Sequence, residues 1–270
     1  MRKRIDVLMV ERGLAPSREK AQALLMAGQV YVEGQRVDKA GTPIDDSKEL
    51  EVRGAALPFV SRGGLKLEKA LDFLEWDVTG LRCLDVGAST GGFTDCLLQR
   101  GARQVVALDV GYGQLDYKLR TDPRVVLMEK TNARYLNSEQ LGEPVGFVTV
   151  DVAFISLALI LPVLPPLLDP PALVVTLIKP QFEAGRKQVR KGVVDDPAVH
   201  REVLERILGV ATGLGFALAG LSFSPVRGPA GNLEYLAGFR AIGSKPGEPD
   251  PEQIAAVVAQ AHEALPRGTT

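Results

Sequence analysis

Two aspartates stand where predicted strands end, and a glycine-rich segment follows the first of them. Asp85 lies at the end of the apolar run LRCLDV and precedes GASTGGF, after which TDCLLQRG has a helical pattern. Strand, glycine-rich turn and helix in this order form the start of a nucleotide-binding βαβ unit. The spacing G-x-x-x-G-G is not the dinucleotide fingerprint G-x-G-x-x-G. A carboxylate here would repel a pyrophosphate but suit an ammonium and a sulfonium group, which favours S-adenosyl-L-methionine over NAD.

The same crevice predicts a set of cofactor contacts. Gly87, Gly91 and Gly92 leave the backbone open to close approach because they have no Cβ. Asp109 ends the second predicted strand, where an acid commonly accepts hydrogen bonds from a ribose diol. Asn132 follows the third strand and could read the edge of an adenine. A lone acid at a strand end is often only a helix cap, so the combination carries the prediction. The predicted cofactor contacts are Asp85, Gly87, Ala88, Ser89, Gly91, Gly92, Phe93, Asp109 and Asn132.

Two further polar residues end the fourth and fifth predicted strands. Asp151 follows FVTV, and Lys179 follows LVVTLI. The carboxyl ends of the strands of an open α/β sheet share one crevice, so both side chains are expected near Asp85. A lysine directly after a buried strand either extends its amine to the surface or works as a base. A base would need burial or a neighbouring cation to favour its neutral form.

The composition is that of an ordinary globular protein. The 270 residues carry 32 Lys+Arg and 33 Asp+Glu, a formal net charge of −1, which excludes a protein that holds nucleic acid by bulk charge alone. Cys83 and Cys96 are too few for a disulfide framework, and the two histidines add little capacity for a metal. Neither cysteine has a histidine close in sequence, which favours packing roles. We therefore expect a cytoplasmic protein without a metal.

A nearly uncharged stretch over residues 152–178 has the length of a membrane span. Five prolines and Asp169 interrupt it, and each proline inside a helix removes a hydrogen bond at a cost of about 3 kcal/mol. We predict a buried strand, a short helix, a proline loop and a second buried strand, and no stable association with a membrane.

Residues up to about 54 form a separate small unit. Ser17 suits the N-cap of a helix over REKAQALLMA, and Gly28 can end that helix in a left-handed turn. Val30 and Val32 alternate with polar residues before the turn Glu33-Gly34, which predicts a hairpin. Eight basic residues face five acidic ones within residues 1–40. This charge fits either a solvated helix face or a surface that holds phosphates.

The segment RIDVLMVERGLAPSREKAQALLMAGQVYVEGQRV favours the second alternative, because it resembles the small RNA-binding fold of ribosomal protein S-four. The shared pattern is a helix, then S-R-x-x-A, then G-x-V-x-V-x-G, and it covers nearly all of residues 2–50. The resemblance implies that structured RNA contacts Arg4, Arg18, Lys20 and Arg36. Of these four, Arg18 lies in the most typical part of the pattern.

Five motifs carry a second resemblance, and they occur in the order SRGGLKL, DVGASTGGFTD, VTVDVAFISL, LIKPQFE and GPAGNLEY. Together they resemble the TlyA family, whose members are named hemolysins and are understood as rRNA 2′-O-methyltransferases with a catalytic domain like that of the FtsJ enzymes. The match covers about residues 2–240. It implies a Lys-Asp-Lys-Glu tetrad formed by Lys66, Asp151, Lys179 and Glu234. Spacing alone would not have selected Lys66 or Glu234.

The resemblance implies an α/β fold: a Rossmann-like, S-adenosylmethionine-dependent methyltransferase domain with a small N-terminal α+β RNA-binding domain. A ribose 2′-hydroxyl is a poor nucleophile at neutral pH, so positioning and proton removal are the main tasks. Lys179 is the predicted base, and Lys66 is the predicted neighbouring cation that favours loss of its proton. Asp151 and Glu234 would orient the two amines and hold the hydroxyl.

The predicted division is an S-four-like domain over residues 1–57, a linker over 58–64, a methyltransferase domain over 65–242 and a C-terminal tail over 243–270. The tail contains QIAAVVAQAHEAL, which predicts a short helix. A basic run after the fifth strand includes Arg186 and Lys187, and it either contacts RNA phosphates or forms a solvated loop. The expected partner is ribosomal RNA or a ribosomal subunit. Two alternatives remain at this point: a membrane-active hemolysin and a non-catalytic RNA-binding assembly factor.

Overall fold

The structure is a computed structural model, and it describes residues 2–26, 28–53, 57–228, 230–241 and 250–266. The chain divides into two compact units, Met1–Ser61 and Arg62–Thr270.

The first unit combines two helices with short antiparallel strands. Its elements are β1 (Arg2–Arg4), α1 (Ile5–Glu11), α2 (Arg18–Met26), β2 (Val30–Val32), β3 (Gln35–Arg36), β4 (Pro43–Asp45) and β5 (Leu50–Val52). β1 pairs with β4, and β2 lies between β3 and β5 in a three-stranded sheet. The hairpin predicted around Glu33-Gly34 is the β2–β3 pair. Ile5, Met9 and Leu25 are completely buried in its core.

The second unit is built on a seven-stranded sheet. Its elements are α3 (Gly63–Leu74), β6 (Arg82–Val86), α4 (Gly92–Gln99), β7 (Gln104–Leu108), α5 (Tyr117–Arg120), β8 (Val125–Met128), α6 (Ser138–Leu141), β9 (Val145–Val150), β10 (Leu168–Ile178), α7 (Pro180–Glu183), α8 (Pro197–Gly213), β11 (Ala217–Phe223), β12 (Tyr235–Arg240) and α9 (Pro251–Ala264). The strand order is β11-β12-β10-β9-β6-β7-β8.

Strands β8, β7, β6, β9 and β10 run parallel, and β12 is antiparallel to both of its neighbours. The α/β class expected from the sequence is therefore confirmed. The chain leaves β6 toward β7 and β8 on one side and then returns to β9 and β10 on the other. A reversal of this kind opens a crevice at the carboxyl ends of the central strands, where open α/β sheets bind ligands.

The apolar stretch at residues 152–178 folds differently from the prediction in its first half. The preceding strand β9 already ends at Val150, and three 3₁₀ helices follow over Leu157–Leu159, Leu161–Val163 and Pro165–Leu167. Short 3₁₀ turns suit this segment because its prolines lack the N–H that a continuous α-helix would need. Within the described residues, no helix is long and apolar enough to cross a membrane.

The helical part of the predicted tail belongs to the core of the second unit, which corrects its separation from the methyltransferase domain. α9 begins after Asp250, whose carboxylate accepts a hydrogen bond from the backbone N–H of Glu252. Ile254, Val258 and Ala261 are buried in the same hydrophobic core as α8 and β11. The start of the tail, residues 243–249, lies outside the described residues.

Candidate active site at the carboxyl edge of the sheet

The four residues of the predicted tetrad form two ion pairs. The Nζ atom of Lys179 lies 2.5 Å from Oδ1 of Asp151, and Nζ of Lys66 lies 2.6 Å from Oε2 of Glu234. Asp151 and Lys179 meet because they directly follow the adjacent parallel strands β9 and β10. Lys66 comes from α3, and Glu234 directly precedes β12. The neighbouring cation proposed for Lys179 is thus itself paired with a carboxylate.

The loop that carries Glu234 is shaped by a glycine and an asparagine. A Cβ at Gly228 would collide with Oε1 of Glu234, so a larger residue there would displace this carboxylate. The Asn232 side chain, which is buried, accepts a hydrogen bond from the N–H of Val194 at 3.0 Å and donates one to the carbonyl of Gly192 at 2.9 Å. Gly228 therefore lies close against the Glu234 carboxylate, and Asn232 holds the loop after α7.

A second connection ties together the segments that follow Asp151 and Lys179. Glu183 in α7 accepts hydrogen bonds from the hydroxyl of Ser156 at 2.6 Å and from the N–H of Leu157 at 2.7 Å. Arg206 of α8 pairs with the same carboxylate at 3.2 Å. Gln181, also in α7, donates to Oε1 of Glu234 at 3.4 Å. The bonds of Glu183 to Ser156 and Leu157 thus join the segment V-T-V-D-V-A-F-I-S-L to the segment L-I-K-P-Q-F-E.

An aromatic pair that was not among the predicted site residues lies beside Lys179. The rings of Phe154 and Phe182 lie 4.9 Å apart between centroids, and Nζ of Lys179 lies 5.9 Å from the Phe182 ring. Phe154 is 91% exposed and has a positive φ of 62°. A bulky residue rarely adopts this backbone conformation or leaves this much ring area in water, and such strain is concentrated at functional sites. Its exposure could not be read from the sequence.

Asp85 is placed differently from the expectation. Its carboxylate has no exposed surface and accepts hydrogen bonds from the hydroxyls of Thr94 at 2.6 Å and Thr149 at 2.9 Å. Burial raises the pKa of Asp85 to about 6, against the opposing effect of these hydrogen bonds. Through these two hydrogen bonds, Asp85 joins β6 to β9 and to the first turn of α4, which follows the glycine-rich loop.

Asp109 lines a small open cleft beside the glycine-rich loop. Its Oδ2 accepts a hydrogen bond from the N–H of Ser89 at 2.8 Å, and its Oδ1 accepts one from the N–H of Gly111 at 2.7 Å. The cleft is lined by Ala88, Ser89, Asp109, Gly111, Gln114, Leu115, Leu127 and Glu129. Carboxylates and apolar side chains in one cleft suit a ligand with a ribose and a flat aromatic base. Gln114 and Glu129 were not predicted.

Two glycines of the loop, Gly87 and Gly91, occupy positions that demand glycine. Gly87 has a φ of 87°, and a Cβ there would collide with the carbonyl oxygen of Asp151. Gly91 has a φ of 95°, and a Cβ there would collide with the side chain of Leu119. Gly92 begins α4, and Phe93 next to it is buried.

Asn132 is exposed, and its side chain accepts a hydrogen bond from the N–H of Arg134 at 3.1 Å, as a helix cap does.

The predicted RNA contacts are all on the surface. Arg4 and Arg18 are about half exposed, and both pair with Asp6, at 2.9 Å and 3.2 Å respectively. The other four are exposed in their own units: Lys20, Arg36, Arg186 and Lys187.

Burial shifts the pKa values of both thiols and of one histidine away from the neutral range. Burial raises the pKa of Cys83 and of Cys96 to about 12, so neither is a nucleophile near neutral pH. His200 is completely buried, with Nδ1 2.7 Å from the hydroxyl of Tyr235 and Nε2 3.0 Å from the carbonyl oxygen of Val194. Burial lowers the pKa of His200 to about 4. Among the residues that the structure describes, no group of three or more His, Cys, Asp or Glu is arranged to hold a metal ion.

Comparison with known proteins agrees with this architecture. Residues 59–241 match the FtsJ-like methyltransferase family, and residues 3–50 match the S4 domain family. The chain is 51% identical to YqxC of Bacillus subtilis (strain 168), named as a presumed rRNA methyltransferase, over 98% of this chain and 95% of that protein. It is 47% identical to the 16S/23S rRNA (cytidine-2′-O)-methyltransferase TlyA of Mycobacterium tuberculosis, over 88% of this chain and 90% of that protein.

A solved structure from Streptococcus thermophilus, named as a presumed hemolysin, superposes with a TM-score of 0.79 at 47% identity. The match covers 97% of this chain and 96% of that one. Both units of the fold thus have a counterpart of known structure.

Proposed function

The chain belongs to the TlyA family of FtsJ-like methyltransferases that carry an N-terminal S4 domain, and from this premise we propose that it methylates the 2′-hydroxyl of a cytidine in ribosomal RNA. S-adenosyl-L-methionine is the proposed methyl donor, and the cytoplasm, where ribosomes are, is the proposed location. The observation that carries the proposal is the pairing of Lys179 with Asp151 and of Lys66 with Glu234 at the carboxyl edge of the sheet.

The cleft supports the proposed cofactor. Asp109 and Glu129 contribute carboxylates to a cleft that Leu115 and Leu127 also line, and these are the kinds of group that bind a ribose and an adenine. The close fit of Gly87 against the carbonyl of Asp151 brings the glycine-rich loop next to the tetrad. When bound there, the cofactor supplies an electrophilic methyl group on a positively charged sulfur. Asn132 remains a proposed contact of the adenine.

The residues of the chain then have separable tasks. Lys179 would accept the proton of the 2′-hydroxyl of the substrate ribose. Asp151 fixes the position of that amine, and Glu234 fixes the position of the Lys66 amine, so that both can orient the hydroxyl. Proton acceptance raises the nucleophilicity of an oxygen that is weak as a hydroxyl.

Phe154 and Phe182 suit the base of the substrate nucleotide. RNA enzymes that act on a single nucleotide splay it out of its helix, and aromatic rings are the common surface on which such a base stacks. The exposed Phe154 ring and its partner offer that surface beside Lys179. The S4 domain, with Arg4, Arg18, Lys20 and Arg36, is proposed to hold structured RNA, and Arg186 and Lys187 are proposed to contact its phosphates near the site.

Replacement of the proposed base tests this assignment. Lys179→Ala is expected to abolish incorporation of tritiated methyl groups into ribosomal subunits from cells that lack the protein, because the hydroxyl keeps its proton. Binding of S-adenosyl-L-methionine, measured by calorimetry, is expected to stay within about twofold of wild type, since Asp109 and the glycine loop are unchanged. Lys118→Ala, which removes an exposed lysine of α5, is the matched control.

Normal incorporation by Lys179→Ala would refute the base assignment. Mapping of methylated riboses in ribosomal RNA from cells with and without the protein would test the substrate. Dye release from liposomes that is equal for wild type and Lys179→Ala, together with an absence of methyl transfer by the wild type, would instead support a membrane-active protein.

A further inference from the structure

A buried carboxylate contacts two of the basic residues of the first unit. Asp6, in the first turn of α1, has no exposed surface. Its Oδ1 accepts a hydrogen bond from Nε of Arg4 at 3.0 Å, and its Oδ2 accepts from the same guanidinium at 2.9 Å. Oδ2 also accepts from Arg18 at 3.2 Å and from the Gln22 amide at 3.0 Å. One side chain thus joins β1 and α1 to α2.

These contacts outweigh the cost of burying the charge. Hydrogen bonds from Arg4, Gln22 and Arg18 hold the pKa of Asp6 well below its usual range, although burial alone would raise it. A buried carboxylate with this many donors stays ionised and fixes the groups that donate to it.

The two arginines remain available to a ligand. Their side chains are 52% and 53% exposed, and each uses only one edge of its guanidinium on Asp6. A guanidinium has five N–H donors, so Arg4, which spends two of them on Asp6, keeps three for other acceptors. Arg4 ends β1 and Arg18 begins α2, and the shared contact with Asp6 brings their guanidinium groups together.

We propose that Asp6 is a positioning residue for RNA binding, which holds the guanidinium groups of Arg4 and Arg18 side by side so that their remaining N–H groups meet RNA phosphate oxygens. The proposal rests on the proposed function, because it takes the S4 domain to be the unit that binds ribosomal RNA. The predicted RNA contacts of this unit are all basic, and the proposal adds an acidic residue that acts through two of them. Arginine suits this arrangement because its planar fork matches two phosphate oxygens at once.

The change in RNA affinity expected on neutralising Asp6 is opposite to the change that charge alone would cause. Removal of a negative charge from a basic surface should strengthen its attraction for RNA. If Asp6 organises the arginines, its removal instead weakens binding, because two flexible side chains must then be ordered by the RNA itself.

The test compares two isosteric neutralisations on the same helix. Asp6→Asn in the full chain is expected to lower affinity for unmodified ribosomal RNA transcribed in vitro by about five- to tenfold. Glu11→Gln is the matched control, because Glu11 also lies on α1 and pairs with a basic residue of β1, Lys3, at 2.6 Å. The control is expected to leave the affinity unchanged or raise it slightly. Affinity is measured by filter binding at one fixed salt concentration.

A double-mutant cycle separates positioning from general damage to the fold. In a background that already carries Arg4→Ala and Arg18→Ala, Asp6→Asn is expected to have no further effect on affinity, since nothing remains to be positioned. An equal loss in both backgrounds, or unchanged or tighter binding by Asp6→Asn alone, would overturn the proposal.

If Asp6→Asn does not fold, Arg18→Lys serves instead. This variant keeps the charge but removes the fork, and unchanged affinity would count against the proposal. Absence of RNA binding by the wild-type chain would refute the proposed function itself, which is a different result from wild-type binding that Asp6→Asn leaves intact.

Discussion

Nζ of Lys66 lies 2.6 Å from Oε2 of Glu234, although the two residues are 168 positions apart in the chain. Both side chains are nearly inaccessible to solvent, at 10% and 1% exposure. A buried ion pair contributes little net stability, because desolvation offsets most of the attraction, but loss of one partner leaves an uncompensated charge. A role in the reaction therefore explains the Lys66–Glu234 pair better than a contribution to the stability of the fold does.

The first prediction separates these two effects. Lys66→Met and Glu234→Leu are each expected to lower the free energy of unfolding by about 3–5 kcal/mol, and the double variant is expected to recover most of this loss. None of the three should transfer methyl groups at a measurable rate. Urea unfolding and the tritiated-methyl assay check both parts. A double variant that regained activity would show that the pair is only structural.

The second prediction concerns the aromatic ring of Phe154. Phe154→Ala is expected to lower kcat/KM for ribosomal RNA by about tenfold or more, since stacking of one base contributes about 1–3 kcal/mol. The melting temperature should not fall, because a residue that is 91% exposed contributes little to the core. Leu159→Ala, at another exposed apolar position after Asp151, is the control and should retain activity. Restored activity in Phe154→Tyr would confirm that the ring itself is required.

The third prediction concerns the cofactor cleft. Asp109→Asn is expected to weaken binding of S-adenosyl-L-methionine by about tenfold, because hydrogen bonds to a charged acceptor contribute about 1.5–3 kcal/mol. Asp116→Asn is the control, since Asp116 also accepts a backbone hydrogen bond, from Lys118 at 2.9 Å, but at the start of α5. Calorimetry on both variants measures the effect. Equal affinities for the two variants would place the ribose elsewhere.

The fourth prediction follows from the buried His200. Its folded-state pKa of about 4 is below the ordinary value of 6.5, so the unfolded chain binds more protons between these values. Its contribution to stability is complete above pH 6.5 and is lost as the pH falls toward 4, by on the order of 3 kcal/mol. His262, 3.2 Å from His200, is shifted in the same direction by its own burial. The difference in unfolding free energy between wild type and His200→Gln should therefore shrink over this range.

The fifth prediction has the opposite sign and concerns Asp85. Its folded-state pKa of about 6 exceeds the ordinary value of 3.8, so the folded chain binds more protons in that window. Stability from this group is present below pH 3.8 and is lost as the pH rises through 6. Asp85→Asn, which can still bond to both threonines, should lack this loss and equal or exceed the wild type in stability at pH 7.

Cofactor affinity of Asp85→Asn decides the role of this carboxylate. We expect a change of no more than a few-fold, because the side chain faces Thr94 and Thr149 and not the cleft. A loss of a hundredfold would instead support the direct contact expected from the sequence.

Local signals in the sequence were sufficient for most elements of the sheet. The end predicted for the second strand, at Asp109, matches the structure, in which β7 ends at Leu108, because an apolar run and the turn after it are features of consecutive residues. The three 3₁₀ helices after Asp151 were missed because an apolar run rich in proline has no regular period. The helix in the predicted tail was recognised, but its place in the core was not, because burial depends on what packs against it.

The sequence by itself determined the order of the elements and the chemical types at the strand ends, because parallel strands in an open sheet bring their carboxyl ends to one edge. Only the tertiary structure decided which charges pair. It joined Lys66 to Glu234, turned Asp85 toward two threonines, and set Asp6 between two arginines. The physical reason is that a hydrogen bond or ion pair depends on distances of about 3 Å and on side-chain direction, which the packing of segments distant in sequence sets.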